Sequence, residues 1–252
     1  MKILALDIET APNTAHVWGL FKQNIGINQI QQTGRVMCFA AKWVGEKTPL
    51  EFWSEHHSPS EAHMFMRAHE LLDEADAVLS YNGKRFDMPT LNKEFIKFGF
   101  GPPSPYHHID LLPVVRKQFR FTSNKLDHVL KELGLGQKVR HTGHEMWTQC
   151  MEGDDRAWRL MERYNKGDVV RLIKLYDFIL PWIDNHPNFA LYKDDPTRPT
   201  CTNCGSTKVH SRGEQKTKSY IYQRYQCNKC GTWMRSRYKT SPKNTNVLTQ
   251  AR

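Results

Sequence analysis

Near the C-terminus, "CTNCG" and "CNKCG" set Cys201, Cys204, Cys227 and Cys230 in the pattern Cys-x2-Cys-x22-Cys-x2-Cys. Four thiolates at that spacing suit one tetrahedral Zn²⁺, and a set closed by sulfur leaves no position for water, so this metal is expected to be structural. A module of about forty residues has too little apolar material to hold itself together without such a staple. A redox dithiol is the competing reading, but neither pair stands at the strand-to-helix junction that such chemistry uses. The chain therefore reads as a core domain over residues 1–183, a Pro- and Asp-rich linker over 184–200, a metal module over 201–240 and a polar tail over 241–252 expected to be disordered.

The formal charge of +10 is lopsided. Residues 198–252 carry twelve Lys or Arg against Glu214 alone, whereas residues 1–197 carry 24 against 25 acids. The basic module interleaves its cations with Tyr220, Tyr222, Tyr225, Trp233 and Tyr238, a mixture suited to nucleic acid, whose phosphates are anionic and whose bases stack. Arg224, Arg235 and Arg237 are candidate contacts there; a plain solvated surface, or a face for a protein partner, is the alternative. No apolar run approaches the roughly 20 residues a membrane-crossing helix needs, and the apolar N-terminal run is short and acidic, so a cytoplasmic protein with no membrane partner is expected. Cys38 and Cys150 read as small core residues.

Residues 2–8, 35–44 and 49–53 are rich in β-branched and aromatic side chains and predict three strands in a meander. Residues 58–75 open on Ser-Pro and keep helical spacing; 77–83 predict a fourth strand stopped by Asn82-Gly83; 88–98 predict a helix ended by Gly99. A short strand at 107–110, an amphipathic helix at 124–136 and a long helix from Asp154 to Leu180 complete the first part. Strands first, then strand-helix alternation, describe an α/β domain with a mixed sheet.

The first strand, "KILALDIET", ends in Asp7 and Glu9. Residues i and i+2 of a strand share a face, so the two carboxylates repel unless a cation sits between them or both are solvated. Asp87 follows the Asn-Gly turn at a helix start, where it can act as an N-cap, and Tyr164 and Asp168 lie four apart on one helical face, where Tyr164 can equally be a core residue. An acid in an otherwise apolar helix is costly without a partner. Four acids from separated segments make a hard, oxygen-rich site suited to Mg²⁺ or Mn²⁺. Asp110 reads as another such acid or as an N-cap for a helix starting at Leu111.

"LALDIET", "YNGKRFD" and "YNKGD", in this order, resemble the three motifs of the DEDD superfamily of 3′-to-5′ exonucleases, whose domains are RNase H-like mixed sheets flanked by helices. The resemblance covers residues 1–182 and implies that Asp7, Glu9, Asp87 and Asp168 bind two divalent metals, Mg²⁺ or Mn²⁺. In the histidine subclass that residue stands five before the last aspartate; here that position is Arg163, and Tyr164 points to the tyrosine subclass (DEDDy). Tyr164 then orients the attacking water, since a phenol of pKa about 10 is a poor base. Asn82 and Phe86 are implied to hold the substrate terminus, Phe86 packing under the sheet, with a structural turn-and-core role for both as the alternative; Thr10, directly after the first motif, is a further candidate contact to the terminal nucleotide. The cysteine module looks like a zinc ribbon. The expected activity is metal-dependent hydrolysis of single-stranded or frayed DNA from the 3′ end, with a 3′-to-5′ exoribonuclease or a non-catalytic nucleic-acid-binding adaptor as the alternatives.

Overall fold

The computed structural model describes residues 1–193, 198–240 and 248; the tail expected over 241–252 lies outside the described residues except for Leu248. The chain divides into residues 2–175 and a second unit of residues 176–252 with Met1.

The first unit is built on a five-stranded sheet of order β5-β4-β1-β6-β7, formed by β1 (Ile3–Thr10), β4 (Val36–Trp43), β5 (Glu51–Ser54), β6 (Ala77–Ser80) and β7 (His107–Asp110). β4 and β5 run antiparallel as the meander requires, while β6 and β7 lie parallel to β1. The helices are α1 (Glu61–Glu74), α2 (Asp87–Lys97), α3 (Leu111–Gln118), α4 (Leu126–Glu132), α5 (His144–Met151) and α6 (Asp155–Ile179). This is the mixed α/β architecture expected from the order of elements.

The two-residue period of β1 sorts its side chains. Leu4, Leu6 and Ile8 pack with Phe65, Leu71 and Leu72 of α1 and with Leu91 and Phe95 of α2. A second cluster joins Met37 and Cys38 to Cys150, Trp158, Met161 and Tyr164. Cys38 and Cys150 are therefore core residues. A bulge between Glu9 and Thr10 shifts the pairing with β4 at the end of the central strand. Ser60 caps α1 through its side chain, and Asp110 caps α3 by accepting from Leu112 N at 3.1 Å.

A small ribbon, β2 (Thr14–Ala15) and β3 (Ile30–Gln32), interrupts the polar segment between β1 and β4, where no strand was expected. In the second unit β8 (Val209–Lys216), β9 (Ile221–Cys227) and β10 (Trp233–Thr240) form an antiparallel sheet of order β10-β9-β8. β8, "VHSRGEQK", lacks the apolar alternation of a half-buried strand, so its sequence carries no strand signal. Within the segment read as linker, residues Phe189–Tyr192 form one helical turn, and Phe189 N donates to Thr202 O at 2.6 Å.

Candidate active site

β1 and its parallel neighbours β6 and β7 bring their carboxyl ends to one edge of the sheet, where chain turns rather than ladder partners face the ends of the strands. Asp7 and Glu9 occupy that edge of β1. α6 faces them: Asn165 Nδ2 donates to Asp7 Oδ2 at 2.7 Å and to Asp7 O at 3.2 Å. One carboxylate oxygen from each of Asp7, Glu9 and Asp168 lies within 4.8 Å of the others. Asp87 stands just outside this trio at the first turn of α2, its Oδ1 accepting from Ile8 N at 3.2 Å, which ties the second motif to the first.

The Asn82-Gly83 turn that delivers Asp87 has a specific steric cause. Asn82 sits at φ 72°, and a Cβ at Gly83 would stand 2.5 Å from Ser80 Cβ and 3.2 Å from Asp87 Oδ2, so only glycine fits there. Asp110 closes the turn from below by accepting from Asn82 N at 2.8 Å and Lys84 N at 3.3 Å. Its hydrogen bonds among the described residues are with backbone donors, a capping and turn-pinning role, and its charge adds to the upward push on Asp87.

Tyr164 is buried, its hydroxyl accepting from Lys138 Nζ at 3.1 Å, with His141 and Trp147 edge-on to its ring at 4.9 and 5.9 Å. The same ammonium forms an ion pair with Asp168 Oδ2. Asp168 Oδ1 is buried and has no hydrogen-bond partner among the described residues, with Arg171 Nη1 standing 3.6 Å away. An all-oxygen trio that leaves a buried lone pair unused suits a hard divalent cation.

Electrostatics tell the same story. Burial, then the charges of Asp87, Glu9 and Asp168, holds the Asp7 carboxyl well above the usual range, and burial next to Asp168 pushes Glu9 up to about 8. Burial raises Asp87 to about 6; it raises Asp168 as well, against the downward pull of Lys138. Tyr164 is pushed up to about 12 by burial and by Asp168, which makes it a still poorer base than a free phenol.

Asp7 and Asp168 of the trio line a cleft of about 800 Å³ whose walls also include Asn82, Tyr164, Arg116, Lys125 and Lys138. Asn82 thus reaches the cleft. Thr10 ends β1, partly exposed, beyond the bulge. Phe86 does not pack under the sheet: it takes the N-cap position of α2 and is 47% exposed. Lys138 and His141 carried no periodic signal, because both lie in the loop after α4; the only hint was charge balance, since buried carboxylates need a cation.

Replacing Lys138 by Met leaves Asp168 buried without its ammonium, and the metal-free variant is expected to lose about 3 kcal/mol at pH 8. Without Lys138 the Asp168 pKa climbs further, so the folded state holds its proton to higher pH and the loss shrinks at pH 5. Denaturant unfolding at the two pH values checks this; an equal loss at both would refute it.

In the second unit, the four cysteine sulfurs lie within 4.8 Å of one another, with Cys201–Cys230 and Cys204–Cys227 each at 3.6 Å. These separations are too long for disulfides and close to the roughly 3.8 Å edge of a tetrahedron with Zn–S bonds of about 2.3 Å. Each Cys-x2-Cys turn closes on its trailing glycine, Gly205 N donating to Cys201 O and Gly231 N to Cys227 O, both at 3.0 Å. Beside them the sheet carries paired cations and rings: Arg224 lies 4.8 Å from the Trp233 ring, Arg235 4.3 Å from Tyr222, and Lys239 4.8 Å from Tyr220. Arg237 lines a cleft of about 390 Å³ with Tyr225 and Tyr238.

The profile of the RNase H superfamily matches residues 25–180. The chain belongs to the RNase H superfamily. The matched span contains Asp87, Tyr164 and Asp168, while Asp7 and Glu9 precede it. No curated protein matches the sequence. Among solved structures, the family B DNA polymerase from the hyperthermophilic archaeon Pyrobaculum calidifontis is similar in fold, with a TM-score of 0.54 and 19% identity over 71% of this chain. The chain spans 24% of that polymerase. An RNase H superfamily fold with three converging carboxylates, two of them lining an open cleft, supports a metal-dependent nuclease. No described helix is long and apolar enough to cross a membrane.

Proposed function

We propose that the chain is a 3′-to-5′ exonuclease of the tyrosine subclass acting on single-stranded or frayed DNA, with a zinc ribbon that binds nucleic acid. The observation that carries this reading is the convergence of Asp7, Glu9 and Asp168 within 4.8 Å, beside a buried tyrosine hydroxyl and a lysine. The 3′-to-5′ polarity rests on the motif resemblance. The same proposal places the catalytic domain at residues 1–183, the linker at 184–200 and the ribbon at 201–240, in a reducing, cytoplasmic setting that keeps the thiols available for metal.

Asp7, Glu9, Asp87 and Asp168 would hold two Mg²⁺ or Mn²⁺ ions, which when bound would supply activation of water and relief of charge on the departing 3′ oxygen. Tyr164 positions the attacking water by hydrogen bonding; its raised pKa keeps the phenol protonated at neutral pH, which excludes it as the base. Asn165 fixes the orientation of the Asp7 carboxylate, and Lys138 holds Asp168 and Tyr164 in place by charge and hydrogen bonding. Arg116 and Lys125 line the cleft where phosphates of the entering strand would lie. On the ribbon, Arg224, Arg235 and Arg237 offer guanidinium planes and charge to a strand.

The test is a time course on DNA and RNA strands of one sequence, labelled at the 3′ or the 5′ end, in Mg²⁺, Mn²⁺ or EDTA. Metal-dependent shortening from the 3′ end, faster on DNA, is expected. Binding of both strands without cleavage of either overturns the reading in favour of an adaptor; faster cleavage of RNA makes the enzyme a ribonuclease.

A further inference from the structure

The segment between β2 and β3 exposes what a fold normally hides. Trp18 is 98% exposed, Leu20 87%, Phe21 86% and Ile27 88%. Scattered surface apolar residues need no explanation, but here four of the ten residues from Trp18 to Ile27 are large, apolar and almost fully exposed. The loop is not loose at its base: Ala11 N donates to Arg35 O at 2.9 Å, Gly34 N to Asn13 Oδ1 at 2.6 Å, and Lys93 Nζ to Gly34 O at 2.7 Å. It is also covalently continuous with the catalytic strand. Trp18 follows Glu9 by nine residues, so it stands within about 30 Å of it even if the chain were fully extended.

Charge and chemistry say what such a patch meets. No Asp or Glu occurs from Thr10 to Gly45, the longest acid-free stretch before the ribbon, and the loop tip carries Lys22. A groove of about 660 Å³ beside Trp18 is lined by His16, Val17, Asn28, Gln29 and Gln31, which supply an aromatic wall and several amides. Flat apolar rings, amide donors and acceptors, and an absence of anions match unpaired nucleobases on a phosphate backbone better than they match a charged or membrane surface.

We infer that the loop over residues 16–27 is a stacking platform that grips unpaired bases of the substrate strand, internal to the end held among the acids. The inference rests on the proposed nuclease activity for the identity of the strand, and adds a second grip to it. Trp18 and Phe21 stack on bases while Lys22 meets a phosphate. The grip acts on longer strands only, because a dinucleotide seated at the acids has no internal bases to reach the loop.

The probe is a single-stranded DNA twelve-mer with 2-aminopurine placed in turn at each position from the 3′ end, bound in EDTA so that it is not cut. Stacking is expected to quench internal positions. Trp18→Ala and Phe21→Ala should each remove the quenching and weaken binding of the twelve-mer roughly tenfold, Trp18→Phe should restore most of both, and metal-dependent cleavage of a dinucleotide should be unchanged. Because both side chains are largely solvent-exposed, these variants keep the fold. Unaltered quenching and affinity in both alanine variants overturns the inference. So does a change confined to self-association in sedimentation, which would make the patch a protein interface. If the wild type cuts nothing yet the variants lose quenching and affinity, the platform stands and the nuclease reading falls.

Discussion

Asp7→Asn is expected to abolish cleavage while making the metal-free protein harder to melt. Asp7 contributes an oxygen to the trio and stands in the field of three further carboxylates, so neutralising it removes a ligand and a repulsion together. Loss of several kcal/mol of charge stabilisation in the transition state corresponds to a rate lower by about 10³-fold or more. The stability effect has a definite sign. Glu9 is shifted from its ordinary 4.5 up to about 8, and Asp7 is shifted the same way. A carboxyl whose pKa is higher in the folded than in the unfolded state favours folding below its unfolded value and loses that contribution as pH rises through the folded one.

The metal-free wild type should therefore lose stability between about pH 4.5 and pH 8, the window set by Glu9. Asp7→Asn should raise the metal-free Tm at pH 8 by about 5 °C. Mn²⁺ should raise the wild-type Tm more at pH 8 than at pH 5.5, where protons compete for the ligands, and should do little for the variant. Scanning calorimetry at the two pH values, with and without Mn²⁺, checks every part. A variant that melts below the wild type at pH 8, or that cuts at more than a tenth of its rate, sinks the assignment of Asp7.

Removing metal from the proposed zinc site is expected to unfold residues 201–240. Among them only Cys201, Asn203, Cys227 and Thr232 are buried, so two of the four buried residues belong to the cysteine cluster itself and the segment has no apolar core of its own. Binding of structural Zn²⁺ contributes on the order of 10–16 kcal/mol in small metal modules, far more than three exposed strands supply. Cys227→Ser, or a strong zinc chelator, should collapse the amide dispersion of residues 201–240 in heteronuclear NMR spectra. Dinucleotide cleavage in added Mg²⁺ should survive, since its acids lie in the other unit. One zinc per chain is expected by metal analysis. A ribbon that keeps its dispersed spectrum without metal would overturn the structural role.

Much of this was legible in short stretches. The two-residue period of "LALDIET" put Asp7 and Glu9 on one face, the four-residue step of α6 put Tyr164 beside Asp168, Asn82-Gly83 announced a tight turn, and the cysteine spacing announced a tetrahedral cluster. Each is a local signal, because covalent geometry and backbone period bring those atoms together wherever the segment goes. Tertiary structure decided the rest. Lys138 meets Asp168 across thirty residues of sequence and Asn165 meets Asp7 across 158, and no local period encodes either pairing. Phe86 looked like a core residue by type and became a surface cap by position. The aromatic loop after β2 carried no helix or strand period, and only the folded chain shows that Trp18 and Phe21 stay almost wholly exposed. Residue type and period state what a side chain prefers, and only the assembled sheet determines whether a surface exists to satisfy it.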